Sequence, residues 1–239
     1  MNIVVIFAGG TGKRMNTKAK PKQFLMLHGK PILVYTVEQF QQHNMIDAII
    51  IVMLSEWIEY CKGLVEQYHL TKVVKIVPGG ENGQESIFNG LVEAHKLYAE
   101  DSIVLIHDGV RPLIDSETIT KNILCTKEKG SSITVSPALE TITLKSNSNA
   151  VGEILDRSRC QMAKAPQCFY LGDIYQNHLK SQKDGLNNFI DSASLMKYYG
   201  HSLYTVEGPT ENIKITTPGD FYIFRAIIDA RENSQIFGI

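Results

Sequence analysis

Three glycines among four residues, Gly9, Gly10 and Gly12, follow the apolar run Ile3-Val4-Val5-Ile6-Phe7, and five cations, Lys13, Arg14, Lys18, Lys20 and Lys22, fall within the next ten positions. Glycines adopt φ values that other residues resist and leave room for a cradle of backbone N–H groups around phosphate oxygens. The cations would neutralise a polyphosphate held there. Pro21 stiffens the approach to Lys22 and biases Lys20 toward an extended conformation. Two common phosphate loops fail on spacing. A Walker loop needs glycine where Phe7 stands and Ser or Thr where Arg14 follows Lys13; a dinucleotide fingerprint starting at Gly10 needs glycine at Met15. A tight turn with solvated lysines is the plain alternative.

Other residues add to this chemistry. Asp108 follows the apolar run of residues 103–106, so a parallel sheet would set its carboxylate on the same strand-end rim as the glycine loop. A helix cap or a salt bridge to Arg111 is the ordinary use of such a residue. The stretch PGGENGQES, residues 78–86, is a second glycine turn between a strand and a helix. Lys214 alternates with Ile213 and Ile215 in residues 212–216, which read as a strand, so it faces away from both. His107 is given no chemistry. No Ser/His/Asp or Cys/His constellation stands out. Cys61, Cys125, Cys160 and Cys168 form no CxxC pair and have no nearby His at zinc-site spacing, which suits idle thiols in a reducing compartment.

Positioning these residues requires a sheet. Apolar β-branched runs at 2–8, 48–54, 73–77, 103–106 and 132–135 are too continuous for strands with one wet face. Between them, residues 31–42, 55–68, 84–99 and 116–129 have helical spacing, with Pro31 suited to a first turn and Ser55 and Ser116 as N-caps. The alternation predicts an α/β fold, a mostly parallel sheet covered by helices on both faces. After Pro137, residues 141–145 and 151–155 read as a hairpin projecting from the fold. Helices are expected at 172–183, 192–199 and from 218 to about 233, and further strands at 203–206 and 212–216. The chain of 239 residues is expected to be a single domain, 1–239, with a β-arm at about 138–165.

With 24 Lys plus Arg against 25 Asp plus Glu, the net charge of −1 gives no general attraction to nucleic acid or membrane. No run reaches the length of a membrane span, and neither a signal peptide nor an N-x-[ST] sequon is evident, so the cytoplasm is the expected location.

The motifs AGGTGKRM and PKQFL resemble the signature of nucleotidyltransferases that activate phosphates or sugar phosphates as nucleoside diphosphate derivatives. HDGVRPLI (from His107), LDRSR (from Leu155), DSASL (from Asp191) and ENIKITTPGD (from Glu211) narrow the resemblance to the cytidylyltransferases acting on 2-C-methyl-D-erythritol 4-phosphate and on ribitol 5-phosphate. It extends over nearly the whole chain, in the family's order.

That resemblance implies a Rossmann-like nucleotidyltransferase sheet and an in-line attack by a polyol phosphate oxygen on the α-phosphorus of CTP, releasing pyrophosphate. Arg14 and Lys22 would sit on the triphosphate and Lys214 on the α-phosphate, as the catalytic cations. Ala8, Gly9, Gly10, Thr11 and Gly12 would face Gly80, Glu81 and Ser86 across the nucleotide. Asp108 would hold Mg²⁺, and Thr141 and Arg157 on the arm would contact the acceptor phosphate, the arm crossing to a partner subunit in a homodimer. Already anionic, a phosphate monoester needs no strong general base. Methylerythritol phosphate ranks first as acceptor, since LDRSR and DSASL look closer to that branch. Ribitol 5-phosphate or another pentitol phosphate, for wall or capsule precursors, is the near runner-up, with which AGGTGKRM and Ala165 are compatible. Two departures stand out: the family's Thr-Pro-Gln is Ala165-Pro166-Gln167, which puts the identity of the acceptor in question, and Gly219 occupies a commonly acidic position, a change expected to touch only helix capping. A nucleotide-binding protein without catalysis is the competing class; a nicotinamide oxidoreductase is disfavoured by Met15.

Overall fold

The computed structural model describes residues 1–9, 20–147 and 150–237. The apolar runs become strands β1 (Asn2–Ala8), β4 (Ala48–Met53), β5 (Val73–Pro78), β6 (Ile103–Asp108) and β7 (Ser131–Pro137). A two-stranded turn, β2 (Met26–Leu27) with β3 (Lys30–Pro31), precedes β4. The helices are α1 (Ile32–Gln41), α2 (Ile58–Gln67), α3 (Gly83–Leu97), α4 (Ser116–Lys129), α5 (Leu171–Lys183), α6 (Ser192–Tyr198) and α7 (Pro218–Phe237). The remaining strands are the hairpin pair β8 (Thr143–Lys145) and β9 (Val151–Ile154), then β10 (Gln161–Tyr170) and β11 (Thr205–Glu207).

Seven strands form the main sheet in the order β11-β7-β10-β6-β1-β4-β5, parallel except for β10, which runs antiparallel to both β6 and β7. Alternate residues of the central strands feed two cores. Val4, Ile6, Ile49 and Ile51 pack with α1, α2 and α4 on one face; Val5, Ile50, Val52 and Val104 pack with α3, α5 and α6 on the other. A third cluster joins Leu27, Val110, Ile215 and Phe224, seating α7 beside the β2–β3 turn. His28 in that turn reaches Asp229 at 3.0 Å and Glu232 at 3.3 Å.

Several expectations change. Residues 161–170, not read as a strand, form β10 near the middle of the sheet, and the arm is correspondingly shorter, since Gln161 already pairs with Pro137. Residues 212–216 form no strand and join no ladder: Ile215 N–H bonds the Val110 carbonyl at 2.9 Å, and Ile213 N–H turns back to the Glu211 carbonyl. β5 is a partly wet strand because it lies at the sheet's edge. Asp115, not Ser116, caps α4 by accepting from Thr118 N–H at 2.7 Å. Ser55 begins a short 3-10 turn, and α2 starts at Ile58. Near the C-terminus the acidic cap is Asp220, one residue beyond Gly219; its Oδ2 accepts from Thr216 N–H at 2.8 Å and Thr217 N–H at 2.7 Å.

Candidate active site

The carboxyl ends of β1 and β6 lie side by side, with Phe7 paired to Asp108 and Gly109 N–H bonding the Phe7 carbonyl at 3.0 Å. A Cβ on Gly109 would lie 2.7 Å from the Ala8 Cβ, so the close approach of these two strand ends requires glycine after the aspartate. Asp108 itself is buried, with a pair of cations on it. Arg111 Nε reaches Oδ2 at 3.2 Å and Lys214 Nζ reaches Oδ1 at 2.5 Å. Burial alone would push the Asp108 carboxyl up, yet Arg111 and Lys214 outweigh it and hold the group below the usual range, so it is ionised at neutral pH. The strand-end rim position is as expected, and the salt bridge to Arg111, the ordinary use of such a residue and the alternative to metal binding, is present as well.

The segment carrying Lys214 is pinned from three sides. Arg111 donates to the Asn212 carbonyl at 2.7 Å, Asn212 Nδ2 donates to the Ala165 carbonyl at 2.8 Å, and Lys22 Nζ donates to the Ile215 carbonyl at 3.0 Å. Lys22 in turn sits on a 3-10 turn, Lys22–Phe24, anchored where the buried Gln23 amide donates to the Ala8 carbonyl at 2.6 Å. Two residues nearly two hundred positions apart, Lys22 and Lys214, thus meet at one strand-end rim.

The second glycine turn closes the opposite wall. Asn82 caps α3 by accepting from Glu85 N–H at 2.9 Å, and Glu85 Oε2 accepts from Glu81 N–H at 2.8 Å. Ser86 Oγ accepts from Gly80 N–H at 3.0 Å and donates to the Asn82 carbonyl at 2.8 Å. Ser86 is thereby an organiser of the turn as well as part of the wall.

These walls enclose a cleft of about 310 Å³ that brings together the expected Ala8, Gly9, Lys22, Asp108 and Lys214. Gly80, Glu81 and Ser86 line it too. The expectations at Gly10, Thr11, Gly12 and Arg14 lie outside the described residues. A second cavity of about 280 Å³ adjoins the first and shares Phe7, Gly83, Asp108 and Lys214 with it. Arg111, Lys164, Ala165, Gln167, Asp191 and Ser192 line this second space. Its walls went unassigned at the level of sequence, although HDGVRPLI and DSASL carry Arg111 and Asp191; the missing piece was β10, which supplies Lys164 to Gln167. Thr141 and Arg157 do not line either cavity. Both are exposed on the arm, where Arg157 donates to the Leu139 carbonyl at 2.8 Å and lines a separate groove. His107 is fully enclosed, bonds the Arg111 carbonyl at 3.0 Å and is held neutral by burial, which lowers its pKa to about 4.

The arrangement suits transfer between two anions. One cleft rimmed by small residues and cations meets a second cavity, walled by both apolar and charged side chains, at a buried carboxylate and a partly exposed ammonium, so two negatively charged groups bound on either side would approach each other at Asp108 and Lys214.

Comparison with known proteins agrees. The family model of 2-C-methyl-D-erythritol 4-phosphate cytidylyltransferase (IspD) matches residues 2–230. The chain is 54% identical over 239 residues to the ribitol-5-phosphate cytidylyltransferase of Streptococcus agalactiae, covering all of both chains. It is 37% identical over 228 residues to the 2-C-methyl-D-erythritol 4-phosphate cytidylyltransferase of Clostridium botulinum, covering 95% of this chain and 97% of the relative. Among solved structures, the 4-diphosphocytidyl-2C-methyl-D-erythritol synthase of Anaerococcus prevotii superposes with a TM-score of 0.81 at 25% identity, over 95% of this chain and 96% of that one. With the mostly parallel sheet, the paired cavities and matches along nearly its whole length, the chain belongs to the cytidylyltransferase family that acts on polyol phosphates, the nucleotidyltransferases of the IspD type.

Proposed function

We propose that this enzyme transfers a cytidylyl group from CTP to D-ribitol 5-phosphate, giving CDP-ribitol and pyrophosphate. The observation that carries the reaction is the junction of two cavities at Asp108 and Lys214. Support for the acceptor comes from the relatives: the one named for ribitol 5-phosphate is 54% identical, the one named for methylerythritol phosphate 37%. This reverses the order suggested by LDRSR and DSASL and favours the reading with which Ala165 and AGGTGKRM are compatible.

In this reading CTP occupies the cleft between Gly9 and the turn at Gly80, and the acceptor occupies the cavity beside β10. The acceptor's phosphate oxygen attacks the α-phosphorus in line, with Lys22 and Lys214 countering the charge that builds there and Arg14 reaching the triphosphate. Because the nucleophile is already an anion, the residues orient and neutralise; none has to remove a proton.

Asp108 fits a role in holding Mg²⁺, since it is an ionised carboxylate at the junction and Mg²⁺ is commonly bound by one or two carboxylates with substrate phosphates and water completing its shell. Its Oδ1 is held by Lys214, so that lysine would turn from the carboxylate toward phosphate. When bound, the ion would supply charge neutralisation at the transferring phosphoryl group. Exposed apolar residues on and beside the arm, Leu139, Leu144, Val151, Ile154 and Met162, support a homodimer that covers them and brings Arg157 and Thr141 to a partner's acceptor site.

Pyrophosphate release from CTP with each acceptor in turn tests the assignment. Turnover is expected with ribitol 5-phosphate at a kcat/KM at least about tenfold above that with methylerythritol phosphate, a difference of about 1.4 kcal/mol. Preference for methylerythritol phosphate would overturn the acceptor, and CTP binding without pyrophosphate release under any acceptor would overturn the enzyme.

A further inference from the structure

Lys164 lies on β10 just before Ala165, at an irregularity in the ladder between Ala163 and Gln167, and lines the cavity beside β10. Its ammonium is half-buried. Nζ donates to the carbonyls of Thr210 at 2.7 Å and, more weakly, Pro209 at 3.4 Å, and among the described residues no carboxylate pairs with it. The other charges on these walls are already engaged. Arg111 and Lys214 are both held by Asp108, and Asp191 accepts from Ser194 N–H at 2.8 Å and from Gln167 Nε2 at 2.8 Å. A cation taken partly out of water without a counter-ion is unfavourable until an anion joins it. Consistently, burial and then the neighbouring Arg111 depress the Lys164 pKa, more than Glu211, which makes no direct ion pair with it, raises it.

The geometry points to Lys164 as a binding residue for the acceptor's phosphate: its ammonium lines the second cavity with no carboxylate in direct contact among the described residues, and a phosphate placed between it and Lys214 would compensate it. This rests on the reading of that cavity as the acceptor site, but not on which polyol the acceptor carries. It also gives the Ala165 departure a physical sense. The hydroxyl lost at 165 is replaced by an ammonium one residue earlier, projecting from the bulged part of the same strand. Ammonium and phosphate form charge-assisted hydrogen bonds that a threonine hydroxyl cannot match in strength.

Two other phosphate sources compete for the same cation, the triphosphate of CTP and pyrophosphate, and steady-state kinetics separate them. For Lys164→Met the KM for the acceptor phosphate should rise about tenfold or more, the effect of losing one charge-assisted hydrogen bond, while the KM for CTP stays within about twofold of wild type. Lys164→Arg should restore most of the affinity. Inorganic phosphate, tested as an inhibitor competitive with the acceptor, should lose potency in Lys164→Met by a similar factor. An unchanged acceptor KM overturns the proposal. So does a rise in the CTP KM with a fall in kcat, the mark of a lysine that only braces residues 209–212 and so positions Lys214. The kinetic arms are run with whichever polyol phosphate wild type turns over. Should it turn over none, the functional reading fails by itself, and inorganic phosphate binding measured by calorimetry still decides for or against Lys164.

Discussion

Asp108 and its two cations show how chemistry and stability divide among neighbouring residues. Lys214 is partly exposed at the cavity junction, whereas Arg111 is buried and also holds the Asn212 carbonyl. Lys214→Met should therefore lower turnover by about a hundredfold or more while costing less stability than loss of Arg111, because Lys214 is itself partly exposed although it too partners the buried Asp108. Lys22→Ala should do the same. Near-normal kcat in either variant would remove that residue from the chemistry. Arg111→Met behaves differently: it leaves a buried carboxylate short of a partner and should cost roughly 3 kcal/mol in urea unfolding. The sign for Asp108 follows from its depressed pKa. Stability from its ionised form is full above the unfolded carboxyl value near 3.8 and is lost as pH falls through the lower folded value. At this scale the sequence was legible in part: Gly10, Thr11, Gly12 and Arg14 lie outside the described residues, and Thr141 and Arg157 line neither cavity. Lys22, Asp108 and Lys214 were each marked by a local motif, while Lys164 was not, because a single lysine in a mixed run has no pattern of its own.

Elements determine whether those residues meet. Gly90 lets α3 sit close on the sheet; an added Cβ would lie 2.5 Å from a Val5 methyl and 2.8 Å from a Val52 methyl. Gly90→Ala should therefore destabilise by about 1–3 kcal/mol in chemical denaturation despite alanine's better helix propensity. Asn82→Ala, which removes the side-chain cap of α3, should cost about 1 kcal/mol and raise the KM for CTP, since the cap fixes the start of the helix that carries Ser86 into the wall of the cleft. The parallel strands were readable because buried strands leave unbroken apolar runs. β10 was hidden by its composition: Gln161, Lys164 and Gln167 interrupt it, and Pro166 ordinarily argues against an interior strand. The ladder tolerates that proline through the irregularity between Ala163 and Gln167. Residues 212–216 erred the other way. Their alternation of apolar and polar residues suggests a strand, yet the segment pairs with no neighbour and its burial does not alternate, Asn212 and Ile215 both being buried.

Across the whole molecule, burial and assembly set the remaining behaviour. His178, on α5, faces the second cavity, stacked on Phe88 with ring centroids 5.7 Å apart, and burial lowers its pKa to about 4 from 6.5. The unfolded chain takes up this proton below about pH 6.5 and the folded chain does not, so the associated stability is complete above that pH and declines toward pH 4. Between pH 7 and 5 that contribution is about 2 kcal/mol, and the stability difference between wild type and His178→Phe should shift by that amount in urea titrations at the two pH values. For the proposed dimer, sedimentation should give twice the chain mass, and Leu144→Glu with Ile154→Glu on the arm should give monomers with little turnover. Full activity in such monomers would exclude a composite site.

The reversed direction of β10 has one more consequence. Its residues reach the rim where Asp108 ends β6, so one side of the second cavity is a short irregular stretch of strand held at both ends, by β7 through Ala163 and by β6 and β7 from Gln167, and not a loop. Such a wall is a fixed rail: it has little freedom to close around a guest of a different shape. Choice among polyol phosphates should then be rigid in any one enzyme yet adjustable by single side-chain replacements along residues 163–167, leaving the nucleotide half untouched.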